Sequence, residues 1–127
     1  MNDRLTHIPA PIIPGISDSV QVRAGDLLFV SGVVGLEPDG SPPDDFTRAV
    51  ELTYAQLERA LTTGGATWDD LVRVNIYITH LDQAKLEILR ATRDSIVTSE
   101  RPSASTVIGV FSLYNGAAIE IDAIAAI

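Results

Sequence analysis

The segment Leu71 to Thr79, LVRVNIYIT, alternates apolar and polar residues, and stretches of a different period flank it on both sides. Alternation at period two marks a strand with one buried face. Val72, Val74, Ile76 and Ile78 share one side, and Arg73, Asn75, Tyr77 and Thr79 the other. Upstream, Phe46, Ala49, Val50, Thr53, Leu57, Ala60 and Leu61 recur at three- and four-residue steps, an apolar stripe along a helix. Asp44 or Asp45 can cap its first amides, and Gly64-Gly65 supplies a left-handed exit. Downstream, a second helix from about Asp82 to Val97 carries Ala84, Ile88, Leu89, Thr92 and Ile96 on its inner stripe, and Pro102 closes the unit. A half-buried strand between two amphipathic helices has to lie in a sheet that those helices cover.

The remaining strands follow from shorter signals. Val20 to Arg23 and Leu27 to Ser31 flank Ala24-Gly25-Asp26, a candidate tight turn, so the two runs are expected to form a hairpin. Ser105 to Phe111 and Ala117 to Ala126 complete the set. In the last, Ile119, Ile121, Ala123 and Ala125 face one way, and Glu120, Asp122 and Ile124 the other. The prolines of IPAPIIPG and EPDGSPPDD mark irregular connections, so residues 1–15 read as an irregular leader to a single domain over 1–127. The order is β-β-α-β-α-β-β, with room for one more early strand: an α+β fold of split β-α-β type, with both helices on one face of a mixed sheet. The uncovered face carries Asn75, Tyr77, Ile124, Glu120 and Asp122. Such a face is left to solvent or buried against a copy of itself, and the pattern does not choose.

Composition excludes several chemistries. The chain has 127 residues, no Cys, two His and a formal charge of −8. Disulfides, thiolate metal sites and thiol nucleophiles are thereby absent. An acidic chain lacks the clustered cations that nucleic acid or an anionic membrane requires. No apolar run reaches spanning length and no signal-type segment opens the chain, which points to a cytoplasmic protein. Lys85, the only lysine, is expected on a helix in solvent. His7 and His80 have no metal-ligand spacing, and no G-x-S-x-G elbow supports a Ser31–His80–Asp82 relay.

Glu120 is the residue that stands out, since Glu is depleted in strands and costly to bury unpaired. It reads either as part of a solvated face, which spacing alone favours, or as a carboxylate at a cleft wall that positions water. Ser103, Ser105 and Thr106 read as turn and strand-start hydroxyls, or as groups presented to a small anion.

Four blocks taken in order carry a resemblance: GDLLFVSGVVGLEPDG (25–40), LTTGGATWDDLVRVNIYITHLD (61–82), RPSASTVIGV (101–110) and AIEIDAIA (118–125). They resemble the RidA family, also called YjgF or, under older labels, L-PSP endoribonuclease and translation inhibitor. The resemblance runs from about Pro14 to Ala125. It implies a fold like the small trimeric chorismate mutase: a homotrimer with a β-barrel core, helices outside, and ligand clefts between subunits. It also implies hydrolysis of enamines and imines, such as 2-aminoacrylate, to a 2-keto acid and ammonia without cofactor or metal. In the pattern of the family Glu120 orients the hydrolytic water and Ser31 lines the cleft.

The match departs from the family at the motif Pro-x-Arg-Ser/Thr, whose guanidinium pairs with the substrate carboxylate. Here Pro102-Ser103-Ala104-Ser105 puts Ala104 at the arginine position. Pro14-Gly15-Ile16-Ser17 lacks the Tyr of the N-terminal block, which Tyr114 can replace from another direction. The Asn of the second helix stands as Arg90 or Ile88. Branches that lack the arginine include some tied to deamination of 2-aminomuconate-like intermediates. The resemblance therefore implies a homotrimer whose clefts bind a small carboxylate or carbonyl metabolite and act as an imine/enamine hydrolase of altered specificity. Glu120 would be catalytic, and Ser31, Ser105, Thr106 and Tyr114 would contact the ligand. The competing reading is a non-catalytic metabolite-binding or regulatory trimer; a ribonuclease conflicts with the charge.

Overall fold

The computed structural model describes residues 2–127. The chain forms β1 (Leu5–Pro9), β2 (Ser17–Val22), β3 (Leu27–Val33), α1 (Phe46–Thr63), β4 (Leu71–Thr79), α2 (Gln83–Ile96), β5 (Ala104–Val110) and β6 (Ile119–Ala126). Short 3-10 turns lie at Trp68–Asp70 and Tyr114–Gly116. The strands make one mixed sheet in the order β1-β2-β5-β4-β6-β3. β6 is antiparallel to both β3 and β4, while β4 and β5 run parallel across the α2 connection. This is the expected α+β architecture.

Both helices start and stop where the side chains dictate. Asp45 accepts from the Arg48 amide at 3.2 Å and Asp82 from the Lys85 amide at 2.8 Å, each satisfying an otherwise free helix N–H. Gly65, at φ +88°, turns the chain out of α1. Ala49, Val50, Thr53, Tyr54, Leu57 and Leu61 of α1 are buried against Val74, Ile76, Ile78, Ile119 and Ile121. Buried Thr53 ties the segment after β3 to this layer, since its hydroxyl accepts from the Gly35 amide at 3.0 Å and donates to the Ala49 carbonyl at 2.7 Å. A Cβ on Gly35 would meet the α1 backbone at 2.3 Å, so the chain passes the helix there without a side chain.

Several details differ from the sequence reading. Val20–Arg23 and Leu27–Ser31 do not pair as a hairpin: β2 takes β1 as its partner, and β3 takes β6. The intervening carbonyls are used elsewhere. Those of Arg23 and Ala24 accept from the Arg4 guanidinium, and that of Asp26 from the Ile127 amide at 3.0 Å. Residues 5–9, within the leader expected to be irregular, form β1, and the irregular stretch begins at Ala10; Met1 lies outside the described residues. The β1–β2 ribbon meets the sheet at one parallel bridge, Ser17 to Ala104. Its other end is tied by Asn2 to Asp70 and to the Ala126 carbonyl, at 2.9 and 2.7 Å.

In β4 the register slips between Leu71 and Arg73, so Leu71 enters the core at 5% exposure and Val72 is the extra residue of a bulge. α2 buries Leu89 and Thr92 and leaves Ala84 exposed. Lys85 is half-buried rather than free in solvent: its Nζ donates to the Thr79 carbonyl at 2.7 Å and lies 5.2 Å from the Phe46 ring centre. No helix among the described residues is long and apolar enough to cross a membrane.

Candidate functional site

The sheet face away from the helices collects the polar side chains of β4 and β6. The register sets Asn75 opposite Asp122 and Tyr77 opposite Glu120. The Asn75 amide and the Tyr77 hydroxyl both donate to Asp122, each at 2.9 Å, one to each carboxylate oxygen. That hydrogen bond to Asp122, helped by desolvation and the nearby carboxylates, raises the Tyr77 pKa. Together the three residues form a fixed polar column down the face.

Glu120 lies beside this column, half-buried, and among the described residues its carboxylate has neither a hydrogen bond nor an ion pair. It leans toward β3. There the register slips between Val30 and Val33, so that Ser31 and Gly32 together face Asp122 in a bulge. A Cβ on Gly32 would stand 2.5 Å from a Glu120 oxygen, so the bulge glycine makes the space the carboxylate occupies. Ser31 is exposed next to it. On the other side of the column, the Arg73 guanidinium donates to the Thr106 hydroxyl.

The sequence-predicted residues thus divide. Glu120, Ser31 and Thr106 share the outer face. Ser105 points to the helix side with Val107, as alternation requires of neighbours in a strand, and lines pockets with Ile76, Leu89 and Arg93. Tyr114 is 66% exposed in the turn between β5 and β6, and its carbonyl accepts from the Ala117 amide. Arg73, Asn75, Tyr77 and Asp122 are legible as members of one face, but not the bonding that joins the last three into a column with Arg73 beside it. That depends on register between strands far apart in sequence.

A cavity of about 360 Å³ opens on the helix side among Tyr54, Trp68, Arg93, Arg101, Ser103 and Ser105. Burial pushes the Tyr54 hydroxyl pKa up to about 12. Arg101, just before Pro102, lines this cavity, and its Nη2 has no partner among the described residues; neither ring nitrogen of His7 has one either. Burial, and then the Arg101 charge, lowers the His7 pKa. No three His, Asp or Glu side chains among the described residues converge as a metal site.

The family model for endoribonuclease L-PSP matches residues 14–127. The chain belongs to the RidA/YjgF family. Among curated relatives, the RutC family protein YjgH of Escherichia coli is 36% identical over 93 residues, covering 72% of this chain and 70% of that protein. A RutC family protein of Aquifex aeolicus is 29% identical over 118 residues, covering 92% and 91%. Among solved structures, YyfB of Yersinia pestis, a Rid-family protein described as of unknown function, superposes with a TM-score of 0.87 at 26% identity, over 98% of this chain and 99% of that one. The RidA fold therefore accounts for the observed sheet order, and Glu120 with the Ser31-Gly32 bulge falls within the matched region.

Proposed function

We propose that this RidA-family protein is a homotrimer whose intersubunit clefts hydrolyse small imines and enamines without a cofactor. One observation carries the reading: the uncommitted Glu120 carboxylate stands over Gly32 on a sheet face that also exposes large apolar groups. Phe29 is 70% exposed, Leu27 48% and Ile108 45%. A face that is polar in its centre and apolar around it suits burial against copies of itself, with the polar centre lining clefts.

For an enamine such as 2-aminoacrylate, protonation at the methylene carbon gives the imine. Water then adds to the imine carbon while Glu120 takes its proton, forming a carbinolamine. Return of that proton to nitrogen, with loss of the carbinolamine hydroxyl proton to water as the carbonyl forms, breaks the carbon–nitrogen bond and releases ammonia and pyruvate. Ser31 and Thr106 contact the ligand through their hydroxyls, and Tyr114 closes the cleft from the exposed turn. The Ser105 side chain is left out, because it lies on the opposite face. The endoribonuclease name of the family is not carried over to this reading, since a net charge of −8 disfavours binding to RNA phosphates.

The test generates 2-aminoacrylate in a coupled assay and follows its decay with ammonia release. Wild-type turnover that falls at least about a hundredfold in Glu120→Gln supports the hydrolase. Ligand binding with no turnover across imines, enamines and aminomuconate analogues points instead to a regulatory trimer.

A further inference from the structure

Arg73 occupies an unusual position for an arginine near a protein surface. In the parallel pairing of β4 with β5 it is the register partner of Ala104, the residue that stands where the family pattern has an arginine. Strands so paired run about 4.8 Å apart, and Ala104 ends at its Cβ, so the longer side chain lies along an open lane. Its guanidinium reaches up that lane to Thr106, whose hydroxyl accepts from Nη2. Among the described residues Thr106 is its only hydrogen-bond partner and it makes no ion pair. Asp122 shares the face but is already bonded to Asn75 and Tyr77. The rest of the guanidinium fork is free for a planar anion.

We propose that Arg73 is the carboxylate-binding residue of this protein, supplying from β4 the cation that position 104 no longer carries on β5. A small 2-oxo or 2-imino acid would dock its carboxylate on Arg73 with Thr106 fixing the fork. The inference rests on the cleft reading above and adds a geometric condition. Arg73 leans toward β5, whereas Glu120 leans toward β3, and the Asn75–Asp122–Tyr77 column separates them. One cleft therefore draws Arg73 from one copy and Glu120 from the next.

Calorimetric titration with pyruvate, and with uncharged methyl pyruvate as control, decides the point. Wild-type protein should prefer pyruvate. Arg73→Ala and Arg73→Met should each bind it at least about tenfold more weakly, as for loss of a charge-assisted contact, with methyl pyruvate unaffected. Arg73→Ala combined with Ala104→Arg should recover the affinity. Wild-type affinity for pyruvate in both Arg73 variants, or no preference of the wild type for pyruvate over its ester, overturns the assignment. Turnover is read separately: pyruvate binding through Arg73 without ammonia release would keep Arg73 and sink the hydrolase. Loss of release in Glu120→Gln, with pyruvate binding intact, separates the two roles from the other side.

Discussion

Glu120 and Gly32 are fitted to each other: a side chain begun on Gly32 would stand 2.5 Å from a carboxylate oxygen of Glu120. The β3 bulge and the acid on β6 thus form one unit. Gly32→Ala should displace the flexible carboxylate at little cost in stability while leaving β3 paired, lowering imine hydrolysis at least about tenfold. Parallel thermal melts and ammonia-release rates check this; equal activity in the variant would disconnect the bulge from catalysis.

Phe29, on the same strand, presents most of its ring on the outer face. If that face packs against copies, Phe29→Asp buries an unpaired charge in the contact and should dissociate the assembly. Sedimentation velocity would show the shift from trimer to monomer. A variant of unchanged mass would mean that the apolar rim is not the interface.

Opposite leanings of Arg73 and Glu120 predict complementation. Chains bearing Arg73→Ala and chains bearing Glu120→Gln should each be nearly inactive, yet their co-expressed mixture should regain activity. In mixed trimers some clefts receive both intact groups. Activity of the mixture no higher than the sum of the separate variants would place both groups within one chain's site.

His7 gives a prediction about pH. Its pKa is lowered from 6.5, chiefly by burial and then by the Arg101 charge, and both ring nitrogens lack partners among the described residues. A depressed folded pKa means the unfolded chain binds the proton more readily. Its contribution is therefore fully present above about pH 6.5 and is lost as pH falls through that value toward the folded pKa. Chemical denaturation between pH 7.5 and 5 should show stability falling with acid, with a shallower slope in His7→Gln. An unchanged slope would assign the acid sensitivity to other groups.

Local signals in the sequence reached far into the fold because most elements are specified locally. The stripes of α1 and α2, the caps at Asp45 and Asp82, and the alternation of β4 and β6 each lie within one stretch of chain. What local signals could not carry was partnership. The pairing of β2 with β1 rather than β3 goes with Arg4 and Ile127 bonding the carbonyls of Arg23, Ala24 and Asp26, and the Ile127 contact spans most of the chain. Bulges were equally hidden, since one extra residue moved Leu71 rather than Val72 into the core and set Ser31-Gly32 against Asp122. The site followed the same division. Glu120 and Ser31 were visible as residue types in a family pattern, whereas Arg73 gains meaning only from its register with Ala104.

The clamp that Asn75 and Tyr77 place on Asp122 lies between the open guanidinium of Arg73 and the open carboxylate of Glu120. On the proposed assembly, a lone protomer carries two half-sites and no whole one. Specific activity would then depend on how concentrated the protein is, falling steeply on dilution below the trimer's dissociation range and recovering on reconcentration. A cell holding such a protein could set its deaminating capacity through abundance alone, without any separate effector.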